Sequence, residues 1–173
     1  MIVKKFIFVL FTFLITVNQP VAQSVEYAIK ASFIEKFARL TDWPATSNND
    51  YFIIDVLGKS PFKGELEEVA KKRKLKNKTI KINYIHNISE AKDCQVLFIC
   101  LSERNELTEI LNYTSPYHIL SISDSPGFCN KGVHINFYVD ESETVKYEVN
   151  PTALKKAKLD IDMQLLNFGK IIR

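Results

Sequence analysis

The sequence predicts an α/β fold: one layered domain on a mixed, mostly parallel sheet, with helices on both faces and a C-terminal antiparallel hairpin. Three observations lead there. Short β-branched runs alternate with helical stretches between residues 51 and 123, the pattern of strand–helix–strand units. The run "QVLFICL" (95–101) is apolar without alternation, as expected of a strand covered on both faces. Finally, "VHINFYV" and "TVKYEV" alternate on either side of the polar "DESE", which signals a hairpin.

The chain opens with Lys4 and Lys5, an uncharged "FIFVLFTFLITV" and then "NQPVAQS". A basic start, an apolar core of about a dozen residues and small residues beyond it predict a cleavable export leader over residues 1–23. A spanning helix needs about twenty apolar residues. Cleavage is expected between Ala22 and Ser24, with Ala22-Gln23-Ser24 as the small-x-small site. Residues 24–173 then form the domain.

Within it, "SVEYAIKASFIEKFARLTDW" (24–43) keeps Ile29, Phe33, Phe37 and Leu40 on one side and Ala31, Ile34 and Ala38 beside them. So wide a stripe predicts a helix buried around much of its circumference, ended by Pro44. "YFIIDVLG" (51–58) reads as a buried strand closed by Gly58. In "SPFKGELEEVAKKRKLK", Ser60 is placed to cap a helix with Pro61 at its first position. The early glutamates and late lysines suit the helix dipole. "TIKINYI" (79–85) alternates as a strand, and "SERNELTEILNY" (102–113) reads as a helix capped by Ser102. "YHILSIS" (117–123) is the next strand, parallel to 95–101 because a right-handed crossover joins them. After the hairpin, Asn150 caps and Pro151 opens the closing helices.

Apolar residues make up 46% of the chain and aromatics 12%, enough for a folded globule. The formal charge is +3, and losing Lys4 and Lys5 leaves 21 basic against 20 acidic side chains. That balance excludes nucleic acid as the expected partner. It also makes "KKRKLKNK" (71–78) a solvated helix end rather than a polyanion site.

In their order, "YAIKASFIEKFARLTDWP", "FIIDVLGKSPF", "CQVLFICLSE", "ILSISDSPGFCNKGVHINF" and "KYEVNPTALKKAKLDIDMQLLNFGKII" resemble the YfiR/HmsC-like family of exported bacterial proteins. The resemblance covers nearly all of residues 24–173. It implies a periplasmic regulator, not an enzyme, that binds the periplasmic sensor domain of a membrane-bound signalling enzyme such as a diguanylate cyclase and restrains it. Control of cyclic di-GMP and biofilm would follow. An outer-membrane lipoprotein that captures the regulator, and a homodimer, also belong to that picture. No cofactor is implied. The alternative is a periplasmic small-molecule-binding module serving a transporter or sensor kinase. The cysteines depart from the family's two-bridge pattern. Cys94 precedes the "LFI" strand, but residues 51–63 supply no partner, and Asn136 and Phe137 stand where a partner for Cys129 would.

Asp124, Cys129 and His134 have the types of a nucleophile triad. Yet nothing turns His134 toward Cys129, and a lone thiol is vulnerable in an oxidising compartment. His86, His118 and His134 fall on three elements without metal-ligand spacing. If a disulfide forms, Cys100–Cys129 is the expected pair. Cys100 ends one parallel strand and Cys129 lies in the loop leaving its neighbour, whereas Cys94 is about 20 Å away at the other end. Three reduced thiols acting as small apolar residues are the alternative.

Loops beyond the C-terminal ends of parallel strands are where such sheets seat ligands. Here they would present Gly58, Ser60, Pro61 and Phe62, then Ser102, then Asp124, Gly127, Phe128 and Gly132. These residues are the candidate ligand or partner loops, alongside plain turn-forming roles for Asp124 and its neighbours. Trp43 is the candidate partner anchor, with a place in the core as its alternative.

Overall fold

The structure, a computed structural model, describes residues 19–44, 50–91 and 93–172. The expected leader lies outside them as far as residue 18. Gln19–Arg39 form helix α1. Strands β1 (Thr41–Asp42) and β2 (Tyr51–Leu57), helix α2 (Glu65–Lys72), and strands β3 (Lys74–Leu75), β4 (Lys78–Ile85) and β5 (Val96–Ile99) follow. Next come α3 (Leu107–Thr114), β6 (Leu120–Ser123), β7 (Ile135–Val139), β8 (Val145–Val149), α4 (Pro151–Lys156), β9 (Asp160–Ile161), α5 (Met163–Phe168) and β10 (Lys170–Ile171).

Among the described residues, eight strands form one sheet in the order β10-β8-β7-β6-β5-β2-β4-β3. Its middle is parallel: β2 pairs with β4 and β5, β5 with β6, and β6 with β7. The expected hairpin is present, β7 running antiparallel to β8 with Phe137 opposite Tyr147. A separate antiparallel pair, Thr41 with Ile161 and Asp42 with Asp160, ties the end of α1 to the C-terminal segment.

The period-2 alternation of the strands sorts the core into two layers. Val96, Phe98, Leu120 and Ile122 join Ile34 and Phe37 of α1 and Leu66 of α2 on one face. Leu97 and Ile99 join Leu107 and Ile110 of α3 on the other. Phe33 and Phe37 pack their rings against Phe137 and Tyr147, at centroid separations of 4.8–6.2 Å.

Several local expectations change in three dimensions. Ser60 and Pro61 do not open a helix: Ser60 Oγ accepts from the Phe62 amide in a turn, and α2 starts only after Gly64. The detour carries Phe62 onto Phe98, with ring centroids 5.0 Å apart. Likewise Ser102 lies in a single tight turn over Leu101–Glu103, and α3 begins at Leu107. Helix α1 is buried on its inner side, but Val25 and Ile29 stand out in solvent. The basic run is partly a hairpin, because Lys76 and Asn77 take positive φ and turn β3 back onto β4.

Candidate functional site

Strand order places a change of winding direction between β2 and β5. The chain first steps outward from β2 to β4, then crosses back to β5 and continues through β6 and β7. In doubly wound sheets the crevice at that point, beyond the carboxyl ends of the strands, is the ligand seat. Here it is filled by the protein's own side chains. Gly58 holds φ +93°, and a Cβ there would collide with Ser102 Oγ and the Glu103 carboxylate. Ser102 Oγ accepts from the Lys59 amide at 3.0 Å, so the loops after β2 and β5 are stitched together.

Helix α1 completes the closure. Asp124, just past β6, accepts from Tyr27 Oη and Lys30 Nζ, each at 2.7 Å. The Lys30 side chain is only 4% exposed, and Glu26 supplies it a second carboxylate. Its ammonium also lies 4.3 Å from the Tyr27 ring centroid. Tyr27 in turn meets Phe62 edge-on at 5.2 Å. Burial, and next the Asp124 hydrogen bond, push the Tyr27 phenol far above its ordinary range. A buried cation held by two carboxylates and a phenol is satisfied and directional. It therefore locks α1 onto the sheet in one register.

Of the residues expected to form ligand loops, the structure gathers Gly58, Ser60, Pro61, Phe62 and Ser102 at this end, with Asp124 reaching it through α1. Phe128 instead sinks into the opposite core layer. Gly132, at φ +114°, lies against Leu111 of α3, and Gly127 turns the chain immediately before Phe128 at φ +80°. Trp43 packs edge-on against Phe52 at 5.6 Å. Its indole Nε1 is buried without a protein acceptor, so its role is at least partly in the core.

The apparent Cys–His–Asp arrangement comes apart. His134 Nδ1 accepts from the Ser121 amide at 3.0 Å and is 2.9 Å from the Ser121 hydroxyl, while Asp124 belongs to Lys30 and Tyr27. Burial drives the His134 imidazole down to about 4. The three cysteines are unpaired, so no Cys100–Cys129 bridge is formed in this structure. The two thiols have different surroundings. Cys100 belongs to the core layer under α1 and is pushed up to about 12 by burial, then by Asp124 and Glu103. Cys129 is also pushed up to about 12 by burial, with Glu148 adding to it. Burial thus disfavours, at both thiols, the thiolate form that a nucleophile needs. Cys94 lies elsewhere, beside buried Asp55, whose carboxyl is raised by desolvation and opposed by a 2.8 Å hydrogen bond from Asn83. Among the described residues no group of His, Cys, Asp and Glu could hold a metal ion.

Among the described residues the openings include one of about 430 Å³ beside Gly132, His134 and Asn150 and two against α1. One runs between α1 and α2, about 590 Å³ in volume, past Ala28, Ser32, Val69 and Arg73. Another, about 420 Å³, lies over Val25, Ile29 and Phe33. Sequence reasoning missed both, although the apolar i, i+4 row Val25–Ile29–Phe33 was visible.

Compared with known sequences, residues 27–170 match the YfiR/HmsC-like profile. The chain belongs to the YfiR/HmsC-like family. That family is one of periplasmic regulators that act through a partner protein. No curated protein matches this YfiR/HmsC-like chain. Among solved structures it is similar to a conserved domain protein from Vibrio cholerae (TM-score 0.60, 8% identity). It is also similar to the ABC domain in complex with L-Trp from Streptococcus pneumonia (TM-score 0.56, 11% identity). Each alignment covers 84% of this chain and 60% of the other, so the chain spans about 60% of the length of either. At such identities the likeness is one of α/β fold alone. Among the described residues no helix is long and apolar enough to cross a membrane.

Proposed function

We propose that this chain is a periplasmic regulator that binds and restrains the sensor domain of a membrane-bound diguanylate cyclase, lowering cyclic di-GMP and biofilm formation. Family membership over residues 27–170 carries the proposal. The site geometry supports it. Asp124, Lys30, Tyr27, Ser102 and Glu103 occupy the sheet edge where a small-molecule module would seat its ligand. Helix α1 also offers exposed apolar surface at Val25 and Ile29, a kind of surface on which protein partners dock. Thiolate catalysis is disfavoured by the raised cysteines. An outer-membrane lipoprotein would relieve the inhibition by competing for the regulator.

The test co-expresses the chain with a diguanylate cyclase that carries a periplasmic sensor domain and measures cyclic di-GMP. A fall that depends on export of the chain is expected. Unchanged cyclic di-GMP, with no complex recovered from solubilised membranes, sinks the proposal.

A further inference from the structure

Helix α1 is apolar on two sides, and only one of them has a partner within the fold. Its inner side packs on the sheet through Ala31, Ile34, Phe37 and Ala38. Its outer side carries Val25 and Ile29, 56% and 41% exposed, and the row ends one turn further on at Phe33, which is half-buried where the stripe meets Phe137 and Tyr147. Residues spaced by four lie one above the other on a helix, so these three form a continuous stripe. The hollow over the stripe and the groove between α1 and α2 share Ala28 and Ser32 as their common wall. Both are small and one turn apart, which lets an incoming backbone come close.

The charge around the groove is uneven. Its carboxylates are engaged: Glu35 by Arg39, Glu68 by Lys71 and Lys72, and Glu65 by Ser24 and the Lys63 amide. Its cations are not all engaged. Among the described residues, Lys36 and Lys63 ammonium groups and the Arg73 guanidinium have no carboxylate partner. From Val25 to Lys36 the stripe runs about 17 Å at 1.5 Å per residue, the length of three helical turns. In a second copy, Glu65 is the one groove carboxylate without a cation among the described residues, and its two oxygens already accept from Ser24 and the Lys63 amide.

Resting on the regulatory reading above, we propose that the α1–α2 face is the docking surface for an amphipathic partner helix. That helix presents an apolar row to Val25, Ile29 and Ala28 and acidic residues to Lys36, Lys63 and Arg73.

The probe is a synthetic amphipathic peptide of about four helical turns, leucine along one face and glutamate on both flanks, with a lysine-flanked twin as control. Fluorescence anisotropy reads affinity, and amide chemical shifts of the protein read location. The glutamate peptide should shift Ala28, Ile29, Ser32 and Val69 and bind roughly tenfold more tightly than its twin. Ile29→Asp should weaken it by about tenfold, and Lys63→Glu with Arg73→Glu should reverse the preference between the peptides. All three positions are exposed, so each variant should keep the wild-type urea midpoint. Equal binding of the two peptides overturns the proposal, as do shifts gathered around Phe168 and Ile171. A dimer in sedimentation that Ile29→Asp breaks also overturns it, by making a second copy the occupant. In cells the two readings separate. If the Lys63→Glu/Arg73→Glu protein lowers cyclic di-GMP as well as wild type, the surface is wrong and the function stands. A wild-type chain without effect refutes the function whatever the peptides do.

Discussion

Acidification should unfold this protein through His134. Its ring is buried, and Nδ1 already accepts from the Ser121 amide, so a proton added there would face another N–H. The folded-state value is depressed from 6.5 to about 4. The unfolded chain therefore binds the extra proton throughout that window, and stability falls as pH drops from 6.5 towards 4. At 1.36 kcal/mol per unit the full loss is about 3 kcal/mol, of which about 2.5 kcal/mol is developed between pH 7.5 and 4.5. Urea unfolding is readily followed through the single tryptophan, Trp43. With a urea slope of about 2 kcal/mol per molar, the midpoint should drop by about 1.2 M over that range. Asp55 works in the opposite direction, because its raised carboxyl gains stability on protonation. The decisive quantity is thus the difference from His134→Asn, which keeps a side-chain acceptor for the Ser121 amide but cannot titrate. If wild type and variant lose the same stability on acidification, His134 is not a neutral buried imidazole and the reasoning fails.

Three further outcomes are expected. Lys30→Met strips the part-buried Asp124 of its cation and should cost about 2–4 kcal/mol, while Lys30→Met with Asp124→Leu should recover much of it. A single-variant loss below about 1 kcal/mol in urea unfolding would show that the pair does not hold α1. Gly58→Ala, at φ +93° and against Ser102, should cost about 1–3 kcal/mol by thermal denaturation; an unchanged melting temperature refutes the tight approach of the two loops. Cys94, Cys100 and Cys129 are buried and raised, so a thiol reagent should label them slowly when native and fully in denaturant. A Cys100–Cys129 peptide in a non-reduced digest would establish instead that export oxidises that pair.

Much of the sheet was legible because its signal is local. The β-branched runs at 51–57, 79–85 and 96–99 and the split hairpin each declare a strand within a few residues. Helix starts were less legible. Ser60 and Pro61 form a good helix-opening pair in isolation, yet covering Phe98 with Phe62 outweighs that propensity and delays α2 to Glu65. Ser102 likewise spends its hydroxyl on the Lys59 amide, 43 residues away. The site was the least legible part. Asp124 was visible as a strand-end acceptor, but its donors Tyr27 and Lys30 lie more than ninety positions earlier, and no spacing rule connects them. The stripe on α1 was visible too. What hydropathy alone does not give is which side of a doubly apolar helix meets the sheet.

The Lys30–Asp124 bond spans 94 residues, and the rings of Phe33 and Phe37 rest on Tyr147 near the far end of the chain. A polypeptide emerging amino end first therefore makes α1 long before it has a platform for it. Until the chain reaches Asp124, Lys30 has only Glu26 of its own helix for a counter-ion, and until β7 and β8 exist its phenylalanines lack the Phe137 and Tyr147 rings. The domain must close in one late, cooperative step, and truncation anywhere before residue 149 should release the first helix along with the missing strand.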